Sequence, residues 1–175
     1  MNTVNLNHPD TILGPFKNFV HIASSAELAG GGVSDFATRV ASIGKLLETT
    51  LALRAHYVSF PRVRLTDGSS VSEDQLELVL MHENARVKFK QSLIRLEDEL
   101  EQLKARIYNP EDADSFGMES DTEAVYLGFL NLVELYETGR KVYGQCRSEL
   151  QEAPEGYKSV VEAHFRRRLE EFLTE

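Results

Sequence analysis

The sequence predicts an all-α protein, a helical bundle of four to six helices. Apolar residues recur at intervals of three and four over most of the 175 residues, the spacing of an amphipathic helix. Strand-like alternation is confined to the short stretch Val63-Arg64-Leu65. Two of the periodic segments follow a capping box, Ser72 with Gln75 and Ser120 with Glu123, which satisfies free amide groups at a helix start.

Residues 1–32 are predicted to form an N-terminal helical arm. Pro15 suits the first turn of a helix, and apolar residues with helical spacing follow it from Phe16. Gly30-Gly31-Gly32 is expected to end the helix as a glycine-rich hinge, because consecutive glycines make a helix costly. The chain is therefore predicted to be a single domain, with this arm followed by a helical bundle over residues 33–175.

The second helix is predicted over about residues 34–57. Its apolar stripe is expected to consist of Phe36, Val40, Ile43, Leu47, Leu51 and Val58. Residues 59–70 break the helical rhythm, because Pro61 and the turn signal Asp67-Gly68 favour an extended connector.

The two strongest helical patterns predict a long antiparallel hairpin that resembles a coiled coil, over about residues 72–108 and 121–152. The stripe of the first helix is Leu78, Met81, Ala85, Phe89, Leu93, Leu96, Leu100, Leu103 and Ile107, with a second row at Leu76, Leu80, Val87 and Ile94. The stripe of the second is Val125, Phe129, Leu132, Tyr136, Gly139, Tyr143, Cys146 and Leu150. Alternating steps of three and four are typical of a seam between paired helices.

A last helix is predicted after Pro154. Its apolar side consists of Tyr157, Val161, Phe165, Leu169 and Phe172. The basic run Arg166-Arg167-Arg168 has glutamates four residues before and after it. This spacing predicts ion pairs within the helix on a solvated face and disfavours a nucleic-acid contact.

The composition bounds the partners and the compartment. The net charge is −9, and 15 of the 28 acidic residues lie in residues 110–175, so duplex DNA and anionic membranes would be repelled. We expect neither nucleic acid nor membrane as a partner. Cys146 is the single cysteine, so no internal disulfide can form. The first residues lack the basic start and apolar core of a signal peptide, and we expect a cytoplasmic protein.

The loop between the predicted paired helices is the strongest candidate for a metal site. Residues 112–123 place Asp112, Asp114, Gly117, Ser120 and Glu123 at the spacing of an EF-hand calcium loop. Two residues depart from that pattern: Phe116 stands where an oxygen ligand belongs, and Glu119 stands where an apolar residue is usual. An acidic loop leading into a capped helix explains the same residues, so no metal ligand is assigned.

No residue is nominated for catalysis or for holding a cofactor. The five histidines form no zinc-binding spacing with one another or with Cys146, and Cys146 lies in an apolar stripe. The sequence contains no phosphate-binding glycine loop, dinucleotide fingerprint or nucleophile elbow. An enzyme assembled from scattered polar residues remains an alternative hypothesis.

The narrow seam at the end of the third helix suggests the function. Leu96, Leu100, Leu103 and Ile107 are surrounded by acidic residues and require one partner helix, either residues 121–152 of the same chain or a second copy. We predict a non-enzymatic helical protein that binds another protein, as an adaptor, assembly factor or inhibitor, or forms an oligomer, through these four residues. The alternatives are a calcium-responsive helical protein using residues 112–123 and a small enzyme.

Overall fold

A computed structural model describes residues 3–28, 35–61, 63, 65, 71–107 and 122–175. Over this part of the chain there are five helices and no strand: α1 (Pro9–Leu28), α2 (Asp35–Ser59), α3 (Glu73–Ile107), α4 (Thr122–Glu149) and α5 (Tyr157–Thr174). The predicted all-α class is confirmed, and the predicted bounds of the second, third and fourth helices lie within a few residues of those observed. The triple glycine and residues 112–121 lie outside the described residues.

Helices α2 and α3 run antiparallel and form the most extensive helix pair. Arg39 near the start of α2 lies 3.3 Å from Glu99 near the end of α3. At the opposite end of the pair, the ring of Tyr57 lies 5.4 Å from that of His82. The predicted third helix therefore packs on α2 as well as on α4, within the predicted helical bundle.

Helices α3 and α4 are also antiparallel. Arg140 of α4 lies 3.7 Å from Glu101 of α3, whereas Arg147, further along α4, interacts electrostatically with Glu97, earlier on α3. Because α1 packs on α2 and also touches α4, the first four helices close a bundle in which chain neighbours are spatial neighbours.

The N-terminal segment packs on the bundle and does not extend away from it. Four of its apolar residues are buried in the common core: Leu6, Ile12, Leu13 and Phe16. The backbone N–H of Val4 donates to Oε1 of Gln145 in α4 at 2.9 Å, and Nε2 of Gln145 donates to the Val4 carbonyl at 2.9 Å. This reciprocal pair fixes the segment to α4.

Helix α1 begins earlier than the sequence predicts. Pro9, not Pro15, is its first residue, and Pro15 lies inside the helix. A proline removes one backbone hydrogen bond from a helix interior. Burial of Ile12 and Phe16 on either side of Pro15 compensates for that loss, since tertiary packing supplies most of a helix's stability in a protein.

The buried stripe of α2 includes polar residues that the apolar pattern overlooked. Thr50, Arg54 and Tyr57 are buried, whereas the predicted member Val58 is half exposed. The buried positions follow one another in alternating steps of three and four: 40, 43, 47, 50, 54 and 57. The heptad spacing of the helix is therefore continuous when its buried polar residues are counted with the apolar ones.

The predicted burial of three apolar residues on the outer side of α3 is wrong. Met81 is half exposed, and so are Val87 and Ile94 of the predicted second row. His82 and Ser92 take places in the buried stripe of α3. Both polar residues face α2, where His82 packs on the ring of Tyr57 and Ser92 shares a hydrogen bond with Thr50.

Candidate interaction surface

The predicted partner-binding residues lie in the core of the chain. Leu96, Leu100, Leu103 and Ile107 are all buried. Leu100 faces Gly139 of α4 so closely that a Cβ on that glycine would lie 2.7 Å from Cδ2 of Leu100. The absence of a side chain at Gly139 therefore lets α4 approach α3 at this level.

The seam is thus closed by helices of the same chain. Of the two partners that the sequence allows, residues 121–152 and a second copy, the first occupies it. These four side chains hold the bundle together and are not accessible to another protein in this conformation. Only the exposed residues are accessible to another protein in this conformation.

A polar layer crosses the core beside the seam. Thr50 Oγ1 and Ser92 Oγ lie 2.5 Å apart, and Thr50 also donates to the Leu46 carbonyl at 2.7 Å. Arg54 forms a forked ion pair with Glu149 of α4. Hydrogen bonding to Glu149 raises the pKa of the Arg54 guanidinium. The layer connects α2 to both α3 and α4.

Cys146 lies one turn before Glu149 and is buried. Desolvation by burial raises the pKa of its thiol to about 12, and the nearby Arg54 opposes this only in part. A thiol that stays protonated is a poor nucleophile. Cys146 therefore behaves as a small apolar core residue, as its place in the predicted stripe indicated.

We expect Cys146 to resist thiol reagents in the folded protein and to lower stability at alkaline pH. Above about pH 8.5 the unfolded chain ionises its thiol but the folded chain does not, so stability falls as pH rises towards the folded value of about 12. At pH 8, a thiol reagent should label Cys146 in the folded protein at least about a hundredfold more slowly than in the protein unfolded by urea. Between pH 8 and 10.5, wild type should lose more unfolding free energy than Cys146→Ala; equal losses would contradict this.

Helix α5 is fixed to the bundle by its first residue. Tyr157 is completely buried, and its ring lies 5.4 Å from that of His82 in an edge-to-face arrangement. The Tyr157 hydroxyl accepts a hydrogen bond of 2.7 Å from the backbone N–H of Val63. Gly156 adopts a φ of +89° with Leu65 against it, a conformation that favours glycine. The start of α5 therefore has a defined position.

The rest of α5 leaves an apolar row uncovered. Phe165 is 66% exposed, Leu169 58%, Phe172 74% and Leu173 74%. We call these four residues the α5 row. Their spacing of i, i+4, i+7 and i+8 places them on one face of the helix. The residues of the predicted stripe thus share one face of α5, but only the first of them, Tyr157, is buried.

Arginines lie on both sides of the α5 row. At 3.6 residues per turn, the four apolar side chains span an arc of about 100°, with Arg166 at one edge and Arg168 at the other. The described ion pairs on this helix are Lys158 with Glu162 at 3.9 Å and Arg168 with Glu171 at 3.4 Å, and they differ from the predicted pairs. Both are exposed and contribute little to stability.

Other candidate sites are weaker. An open groove of about 500 Å³ lies between α1 and α2 beside Phe16 and Gly44, and its polar lining includes Lys17, Lys45 and Glu48. Among the described residues, no group of three His, Cys, Asp or Glu is placed to bind a metal ion. The calcium-like loop cannot be placed, because residues 112–121 lie outside that part of the chain.

The sequence predicts the apolar face that contains the α5 row, but its more regular pattern at Leu96–Ile107 points to the seam as the partner-binding surface. Four helices suffice to bury one another's stripes in a closed bundle, so a fifth amphipathic helix is the one most easily left uncovered.

Within the described ranges, no helix has both the length and the apolar character required to cross a bilayer. No family model, curated protein or solved structure matches this chain.

Proposed function

We propose that this protein is a non-enzymatic helical interaction protein that binds another protein through the α5 row. The observation that carries the proposal is the exposure of four large apolar side chains on a helix fixed at its root. Together they expose on the order of 500 Å² of apolar surface, comparable with the largest patch on a typical monomer, and patches of that size are often functional.

The spacing of the row indicates how it would bind. Apolar side chains at i, i+4, i+7 and i+8 fit the groove of a partner that accepts an amphipathic helix. Arg166 at one edge of the row favours a carboxylate at the rim of that groove, which would speed association and set its orientation. Because Tyr157 already fixes the root of the helix, little ordering is required on binding.

The proposal covers the roles of adaptor, assembly factor and inhibitor, which share a docking helix. It includes no nucleic-acid partner, because the net charge of −9 repels phosphate. We propose a cytoplasmic location, because a chain with a single cysteine, Cys146, has no internal disulfide that would call for an oxidising compartment.

The test is affinity capture from the lysate of the native host with three full-length baits. Wild type is compared with Leu169→Asp, which places a carboxylate in the row, and with Arg167→Gln, which makes the same change of charge on the opposite face. We expect a stoichiometric protein with wild type and Arg167→Gln, and at least tenfold less with Leu169→Asp. Equal capture by all three baits, or no specific capture by any, would refute the proposal.

A further inference from the structure

The segment that precedes α1 is held by side chains near the carboxyl ends of α2 and α4. The side-chain amide of Gln145 in α4 accepts a hydrogen bond from the N–H of Val4 and donates one to its carbonyl, both at 2.9 Å. Nη1 of Arg54 in α2 donates to Oδ1 of Asn7 at 3.3 Å. Between these contacts, Leu6 is buried in the common core. We call Arg54, Gln145 and the core surface beneath Leu6 the segment site.

The segment site makes few demands on the sequence that it holds. Every residue except proline offers the N–H and carbonyl that Gln145 contacts at Val4. A leucine two residues further on supplies one apolar anchor. The oxygen of Asn7 is neutral, which suits Arg54 because Glu149 already forms an ion pair with that guanidinium. One main-chain contact, one buried leucine and one neutral acceptor are the features of a site for a short peptide.

The conformation of the segment is set by its own hydrogen bonds. Oδ1 of Asn5 accepts from the N–H of Asn7 at 3.0 Å, and the carbonyl of Asn5 accepts from the N–H of His8 at 3.2 Å. Asparagine favours such a turn, because its side chain bonds the backbone two residues further on. Both bonds lie before α1 begins at Pro9. A peptide with this sequence therefore contains the turn itself, and less ordering is required when it binds.

The segment can leave its site without disrupting a helix. It precedes α1, and that helix is held on α2 by buried residues of its own, Ile12, Leu13 and Phe16. Terminal segments with few contacts open at a much lower free-energy cost than the whole domain. An open segment would leave the amide of Gln145 and Nη1 of Arg54 available to another chain.

We propose that the segment site binds a short peptide segment of another protein, and that residues 4–7 are its internal occupant. The peptide would match Val4-Asn5-Leu6-Asn7 in order: an apolar residue with a free N–H, an asparagine turn, a leucine and a neutral side-chain oxygen. Exchange between two copies of this chain would gain no contact, because each segment already fills its own site. The proposal does not involve the α5 row and is independent of the proposed function.

The test is the binding of a synthetic peptide of residues 1–8, with a fluorophore at its carboxyl end, to full-length proteins. The wild-type segment competes at an effective concentration on the order of millimolar, so it must first be released. Leu6→Asp releases it by placing a carboxylate in the core, and Val4→Pro by removing the N–H that donates to Gln145. Thr3→Asp is the matched control, because it makes the same change of charge at an exposed residue of the segment.

We expect fluorescence anisotropy to show at least about tenfold tighter binding of the peptide by Leu6→Asp and Val4→Pro than by the wild type or Thr3→Asp. A peptide with proline at position 4 should bind the two released proteins at least about tenfold more weakly, since it leaves the Gln145 amide unpaired. Circular dichroism should show that both variants keep their helices, because the segment lies before the first of them.

Two results would overturn the peptide site. Equal binding by the wild type and the released variants would mean that the peptide binds elsewhere on the surface. No binding by either released variant, with its helices intact, would mean that residues 4–7 serve only the fold of their own chain. Neither result depends on Leu169, so the proposed function is tested separately.

Discussion

Leu100→Asp is expected to prevent folding. Leu100 is fully buried and lies against Gly139 in the contact between α3 and α4. Removing the leucine side chain costs about 2–5 kcal/mol, and the new carboxyl adds the penalty of a buried polar group with no designed partner. The total approaches the whole stability of a typical domain, about 5–15 kcal/mol. Circular dichroism and thermal melting of the purified variant would measure the loss.

Two variants keep this prediction testable. Met81→Asp changes a half-exposed residue of the same helix and should alter the unfolding free energy by no more than about 0.5 kcal/mol. Leu100→Ala should fold but lose about 2–5 kcal/mol in urea denaturation. A Leu100→Asp protein with the wild-type melting temperature would show that this residue does not lie in the core.

Tyr157→Ala is expected to release the start of α5. The substitution removes a completely buried ring, its contact with His82 and the hydrogen bond from Val63. Loss of a buried aromatic side chain costs about 3–5 kcal/mol. Hydrogen exchange should show faster exchange of the first α5 amides, and urea denaturation should show the lower stability.

Tyr157→Phe is the matched control for this change. It keeps the ring and removes only the hydroxyl, so we expect a loss of about 1 kcal/mol and unchanged exchange at the α5 root. If Tyr157→Ala left both stability and exchange unchanged, α5 would not be fixed to the bundle as described. Because an ordered root reduces the cost of binding, Tyr157→Ala should also weaken capture through the α5 row.

The helices could be predicted from the sequence because their periodicity is local information. Apolar spacing and the Ser72–Gln75 capping box located α3, and in the structure Ser72 and Gln75 do exchange hydrogen bonds of 3.2 Å. The polar members of the core could not be predicted in this way. Thr50 and Arg54 can be buried because they form hydrogen bonds with Ser92 and Glu149. These partners lie 42 and 95 residues away along the chain, so a local sequence pattern cannot show the pairing.

The candidate site was harder to predict for a related reason. An apolar stripe predicts that a helix has a face to bury. It does not show whether another helix of the same chain covers that face. The seam at Leu100 has the narrower and more regular spacing, yet it is the α3 surface closed by Gly139 of α4. The less regular row on α5 stays exposed, because the first four helices already bury one another.

The exposure of the α5 row is tested most directly by the unfolding free energy of Phe165→Gln/Phe172→Gln. The measurement is made at a protein concentration at which sedimentation shows a monomer. Because both rings are largely exposed, we expect the unfolding free energy of the double variant to lie within about 0.5 kcal/mol of that of the wild type. We also expect the double variant to lose the capture of a partner protein from the lysate. A loss of 3 kcal/mol or more, about that of a buried aromatic residue, would show that the row packs within its own chain and is not a docking surface.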